Sequence, residues 1–206
     1  MHGSIRAVLA IAMVALLAPP TVAQPRKLDP DWPCQQIKTP TFSLAAVWAG
    51  PQLDLNSQSW RNEPDVADLK AKMAQRRVPI ADVEKAIADF KAKAGPDRDA
   101  KLLRAFAGAF EDLSEQRSEV IDGLDRLGRR QNALADRIRA ENEAVEKTSD
   151  QKTDSAAPPG AGNQDKLLWD IRIYDDRRQT ASYVCEVPTL IEQRIGKIAR
   201  AVQSAL

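Results

Sequence analysis

Histidine is almost missing from this 206-residue chain, in which the single one is His2. Histidine provides the most frequent general base and a common metal ligand in proteins, so its absence from the rest of the chain argues against both roles. The chain also contains no C-x-x-C pair, no Walker-type phosphate loop and no G-x-S-x-G turn. We therefore expect no enzymatic activity, no cofactor and no bound metal.

The chain has little net charge and few aromatic residues. Lys and Arg number 30 and Asp and Glu 29, which gives a formal charge of +1, and aromatic residues make up 5% of the total. A protein without an excess of positive charge has no general attraction for nucleic acid, so we expect no nucleic-acid partner. The many charged and helix-favouring residues are typical of a helical protein with a large solvated surface.

The longest apolar run covers residues 7–18, near the start of the chain. A basic residue precedes it, two prolines end it, and small residues lead up to Ala23. This order is that of a secretory signal peptide, and the run is too short to span a bilayer stably. We predict that residues 1–23 are removed by cleavage after Ala23. The expected location is the periplasm, without a stable membrane anchor.

The chain has two cysteines, Cys34 and Cys185, and both follow the predicted signal. In an oxidising compartment an isolated pair of cysteines most often forms one disulfide, which would tie the start of the mature chain to its last third. The alternative is a metal or redox pair. Two thiolates supply only half of a zinc site, and no histidine is available to complete it.

Residues 24–61 read as an extended segment. Four prolines between residues 25 and 40 fix φ and disfavour helix in the residues before them, while Thr41–Trp48 is predicted as a short helix. Three of the four tryptophans lie in this segment: Trp32, Trp48 and Trp60. They could line a ligand pocket, where an indole can stack on a sugar ring, or they could staple an irregular segment to a helical core.

Residues 62–206 follow helical periods. Two short helices are predicted near 63–76 and 80–94, with Asn62 as the first cap, and a longer one from Arg98 to about Lys147. Apolar residues recur along the long helix in alternating steps of four and three, which is typical of a coiled-coil seam. The ten predicted seam positions are Leu113, Arg117, Val120, Leu124, Leu127, Gln131, Leu134, Ile138, Glu141 and Val145.

The same seam pattern returns after residues 148–163, a stretch without large apolar side chains that we predict as a flexible loop. Two seams joined by such a tip favour an antiparallel hairpin, with Ile138 near Tyr174 and Pro188 kinking or breaking the returning helix. The predicted fold class is all-α: a long, coiled-coil-like antiparallel helical hairpin, shorter helices packed at its base, and an extended N-terminal segment.

Basic residues on the two long helices are candidate partner contacts. Arg126 and Arg130 lie in an arginine-rich stretch that could meet an acidic partner, although nearby aspartates could also pair with them inside the helix. Arg178 falls in the returning seam, opposite Leu134 in the predicted register. A charged side chain there would have to reach past the seam to water or to a carboxylate.

These features favour a non-enzymatic exported protein that works as an adaptor, scaffold or accessory subunit. Long helical hairpins expose faces that bind other helices, so a protein partner in the cell envelope is expected, and a homo-oligomer is one form it could take. Two alternatives remain open from the sequence. One is a periplasmic small-molecule-binding protein with a tryptophan-lined pocket, and the other is a holdase-type chaperone that grips unfolded chains.

Overall fold

The computed structural model describes residues 29–150 and 161–206. Within these two ranges the chain forms helices, turns and extended segments and contains no strand. The predicted all-α fold is therefore confirmed. The predicted signal peptide lies outside the described residues.

Four α-helices make up the described fold, preceded by two short 3₁₀ turns. In chain order the turns are Leu44–Ala46 and Ser59–Asn62, and the helices are α1 Pro64–Ala74, α2 Ile80–Lys93, α3 Arg98–Asp150 and α4 Ala161–Ala205. The short helix predicted over Thr41–Trp48 is thus reduced to a single 3₁₀ turn. The side chain of Ser43 begins that turn by accepting a hydrogen bond from the amide of Ala45.

Proline and glycine set the limits of the shorter helices. Pro64 occupies the first turn of α1, where its missing N–H costs nothing, and Pro79 directly precedes α2. Gly95 has a φ of 75° in the link between α2 and α3, a conformation that favours glycine. Glu63, rather than the predicted Asn62, holds the cap position of α1.

Helices α3 and α4 pack side by side with opposite directions, as predicted. Three polar contacts show the alignment: Arg117 with Glu192, Gln131 with Tyr174, and Arg137 with Asp170. The predicted register was wrong, because Gln131 and not Ile138 lies opposite Tyr174. The buried amide of Gln131 donates to the Tyr174 carbonyl at 3.1 Å, and a polar residue inside a seam commonly selects one register.

The predicted seam on α3 does face the rest of the protein. All ten positions from Leu113 to Val145 are buried or half-buried. Helix α3 reaches Asp150 and α4 begins at Ala161, so both ends of the predicted 148–163 loop are helical, and residues 151–160 lie outside the described part of the chain. Helix α4 also continues through Pro188, which is buried within it, so of the predicted kink or break the break does not occur.

The main hydrophobic core lies at the base of the hairpin. There α1 and α2 pack against the first turns of α3 and the last turns of α4, and the largest fully buried apolar side chains include Val66, Met73, Val83, Leu102, Phe106, Ile195 and Ile198. Arg194 enters this core from α4 and donates to the carbonyls of Met73 and Val78. Burial lowers the pKa of Arg194. Its hydrogen bonds satisfy the Met73 carbonyl at the end of α1, which the helix leaves unpaired, and the Val78 carbonyl in the link to α2.

Among the described residues, no helix is both long enough and apolar enough to cross a membrane.

Candidate functional site

An extended segment, residues 29–48, lies along the hairpin; we call it the arm. Its contacts move steadily toward the start of α3 as the arm proceeds. In chain order they are Pro30 with Asn132, Lys38 with Asp125, Thr39 with Arg117, Phe42 with Phe110 and Trp48 with Phe106. The arm is thus held at several separate points along much of α3.

A disulfide between Cys34 and Cys185 joins the arm to α4, as predicted. The two Cα atoms lie 5.6 Å apart, and 151 residues separate the cysteines in sequence. Nearby, the side-chain amide of Gln36 donates to the Cys185 carbonyl. Lys38 bridges Asp125 and Asp29 at 2.7 and 2.9 Å, and these ion pairs raise the pKa of Lys38. The disulfide and the ion pairs therefore hold the same part of the arm, residues 34–38, against the hairpin.

Arg117 joins all three long segments of the fold. Its guanidinium contacts Glu192 of α4 at 2.6 Å and the arm carbonyls of Thr39 and Pro40 at 2.6 and 3.3 Å. Phe42 covers the guanidinium with its ring, at 5.8 Å from the ring centroid. Only 2% of Arg117 is exposed. A buried charge of this kind is tolerated because its donors are satisfied, which makes Arg117 a structural junction rather than a free binding group.

The backbone of the arm touches the backbone of α3 at Gly128. A β-carbon at this position would lie 1.6 Å from the carbonyl oxygen of Asp31 and 3.2 Å from the ring of Pro33. Glycine is needed here for close approach, since a backbone oxygen cannot swing aside as a flexible side chain can. The arm and α3 must therefore separate locally if Gly128 gains a side chain.

We expect Gly128→Ala to lower the free energy of unfolding by about 1–3 kcal/mol, the usual cost of overpacking a tight contact. Gly123→Ala is the matched control on the same helix. Its new β-carbon would meet only the end of the Arg126 side chain, at 3.8 Å, so the better helix propensity of alanine should raise stability by about 0.5–1 kcal/mol. Urea unfolding followed by circular dichroism measures both changes. Equal effects of the two variants would contradict the close contact at Gly128.

The structure does not bring Trp32, Trp48 and Trp60 together. Trp48 packs on Phe106 with 4.7 Å between ring centroids, whereas Trp60 lies over Gly108, with the Lys70 ammonium 4.1 Å from its ring. Residues 106 and 108 point to nearly opposite sides of α3, because each step along a helix turns by about 100°.

Trp32 lies much farther along the hairpin. Its neighbour Asp31 touches Gly128, some 20 positions beyond Gly108 and therefore about 30 Å along α3. The Trp32 indole donates to the Gln36 carbonyl at 2.7 Å, within the arm itself. Trp48 and Trp60 thus pack against different positions on α3, whereas Trp32 contacts the arm itself. A pocket lined by all three does not form.

The predicted arginine contacts are solvent-exposed and lie on two different helices. Arg126 and Arg130 lie on the exposed side of α3, and the nearby Asp125 is already paired with Lys38 of the arm. Arg178 is also exposed, on α4, where Asp175 is its ion-pair partner at 3.9 Å. Leu134 does not lie opposite Arg178, because the observed register places Gln131 beside Tyr174. The Arg178 side chain reaches water and a carboxylate, as expected for a charged residue at a seam position.

A charged cluster joins the two helices near the tip of the hairpin. Arg137 donates two hydrogen bonds to the nearly buried carboxylate of Asp170, at 2.7 and 2.8 Å, and this pairing lowers the pKa of Asp170. Glu141 accepts from Lys166 across the same gap. A lowered carboxyl pKa is the expected result of such pairing, and a two-pronged arginine–carboxylate contact aligns the helices.

Large apolar side chains are exposed along one side of α4, which we call the outer face. Leu168 is 64% exposed, Trp169 60%, Tyr183 68% and Leu190 56%. This surface was not predicted from the sequence, because the seam accounts for only one stripe of apolar residues on α4. The sequence does contain a pattern that indicates this surface. Trp169, Tyr183 and Leu190 are separated by multiples of seven residues, and their heptad register differs from that of the seam.

A second surface feature is a groove of about 550 Å³ between α2 and the end of α4. Ile80, Ile87 and Ala201 are among its apolar lining residues, and Lys197 and Arg200 add positive charge at its side.

Within the described residues, no group of three metal-ligating side chains comes together. The sequence matches no protein family, no curated protein and no solved structure.

Proposed function

We propose that this protein is a non-enzymatic, exported adaptor, scaffold or accessory subunit that binds another protein through the outer face of α4. The observation that carries the proposal is the exposure of Leu168, Trp169, Tyr183 and Leu190 on one long helix. Single exposed apolar residues are ordinary, whereas four of them on one side of one helix, interspersed with polar residues, favour an interaction surface.

The rest of the fold supports a binding role for this face. The seam of α4 packs on α3, and the disulfide holds the arm at Cys185, so the helix that bears the outer face is fixed on its other sides. A rigid helix loses little conformational freedom on binding, and the face therefore suits an incoming helix that packs along it. Tyrosine and tryptophan are also enriched among the residues that dominate binding energy in interfaces.

Site-specific photo-cross-linking in cells tests the proposal. The photoreactive residue p-benzoyl-phenylalanine replaces Tyr183 on the outer face or, as a matched control, Glu119 on an exposed part of α3. We expect a discrete protein adduct of the full chain at position 183 and none at position 119. A holdase would instead give adducts of many masses. The absence of any adduct at position 183, with the protein present in the envelope fraction, would contradict the proposal.

A further inference from the structure

The outer face of α4 carries a chemical pattern that is symmetric about Gln179. Four positions away on either side are Asp175 and Tyr183, a hydrogen-bond acceptor and a donor. Seven positions away are a cation and an anion, and eleven positions away are two leucines. The flanking pairs are therefore Asp175 with Tyr183, Arg172 with Glu186 and Leu168 with Leu190.

All of these side chains lie on one stripe of the helix and face solvent. Offsets of four, seven and eleven residues are close to one, two and three helical turns. Viewed down the helix axis, all of these side chains therefore project within about 40° of the Gln179 side chain. Each of the seven residues from Leu168 to Leu190 in this stripe is exposed. The stripe is about 33 Å long, at 1.5 Å per residue.

From this symmetry we infer that the partner at the outer face is a second copy of the same chain, packed antiparallel with a two-fold axis at Gln179. The inference rests on the proposed function, because it names the occupant of the same face. In this arrangement Leu168 meets Leu190 of the other copy, and Arg172 meets the other copy's Glu186. The Tyr183 hydroxyl donates to the other copy's Asp175 carboxylate. Each of these contacts occurs twice, as a two-fold axis requires.

Charge complementarity selects this arrangement over others. Arg172 and Glu186 have no ion-pair partner within the described residues, so both are available to a second copy. A parallel pair would instead set Arg172 against Arg172 and Glu186 against Glu186, and like charges opposed in this way disfavour association. Trp169 lies beside the stripe and adds apolar area at each end of the paired region.

Charge-swap variants test the inference by sedimentation velocity of the purified oxidised protein. The wild-type chain is expected to self-associate, and Arg172→Glu or Glu186→Arg alone should weaken self-association by about tenfold or more, since each places like charges together twice. An equimolar mixture of the two variants should restore association, because a copy with two acidic sites then meets a copy with two basic sites. Arg126→Glu and Glu119→Arg, which make the same charge changes on exposed positions of α3, should have no effect.

The outcomes separate this inference from the proposed function. A wild-type chain that stays monomeric at all accessible concentrations would overturn the inference. So would self-association that neither charge swap weakens, or a mixture that fails to recover. If a different protein is then cross-linked at position 183 in cells, the proposed function stands without the dimer. If no adduct forms there either, both fail.

Discussion

Replacing both cysteines, Cys34→Ser with Cys185→Ser, is expected to lower the free energy of unfolding by about 4–5 kcal/mol. The disulfide closes a loop of 151 residues, and in the chain-entropy model a loop of that length restricts the unfolded state strongly. The figure is an upper value, because an unfolded chain with residual structure loses less freedom. Urea unfolding of the oxidised wild type and the double variant measures the difference.

A reduced wild-type sample is the matched control, because it opens the same loop without a change of sequence. It should unfold at nearly the same urea concentration as the double variant. Hydrogen exchange should then increase first in the arm, near Gln36 and Lys38, while the seam of the hairpin stays protected. Equal stability of oxidised and reduced protein would show that the link does not hold the arm in place.

The second large effect is expected at Arg117, where Arg117→Met should lower the free energy of unfolding by about 3 kcal/mol. The change removes the partner of Glu192 and leaves two arm carbonyls without their donor. Unpaired buried polar groups cost more than the net gain of the hydrogen bonds that they formed. Methionine fills a similar volume, so the loss reports the missing hydrogen bonds more than a cavity.

Arg126→Met supplies the control for this substitution. Arg126 is an exposed arginine on the same helix, and its replacement should change stability by less than about 0.5 kcal/mol. Thermal unfolding followed by circular dichroism compares the two variants. Similar melting temperatures for both would contradict the role of Arg117 as the junction of arm, α3 and α4.

Periodicity made the hairpin predictable, whereas its register depended on individual side chains. The alternating steps from Leu113 to Val145 correctly place one stripe of α3 against the rest of the protein. Register follows instead from polar contacts such as Gln131 with Tyr174 and Arg137 with Asp170. Those partners could not be chosen from the sequence, because many equally spaced polar residues compete along both helices.

The arm was harder to predict for a related reason. Its prolines indicate extended structure, but an extended segment has no period that tells which residues it contacts. Its path is fixed by several separate contacts, among them the close approach at Gly128, the hydrogen bonds of Arg117 and the packing of Trp48 on Phe106. The cysteine pair was an exception, because two cysteines in an oxidising compartment allow only one intramolecular pairing.

The candidate site was missed from sequence because a buried seam and an exposed face look alike in a list of apolar residues. Tyr183 and Leu190 fit a second heptad register on α4, and only the structure shows which register packs on α3. Arg178 has the spacing of a seam residue, and its charged side chain is nevertheless exposed to solvent.

We propose that the chain works outside the cytoplasm, with its arm covalently fixed across the hairpin. Intact-mass measurement of protein from the cell envelope, alkylated before and after reduction, tests that claim most directly. The account predicts a mature chain that starts at Gln24, takes up no label before reduction and takes up two labels afterwards. A chain that takes up two labels before reduction would contradict it.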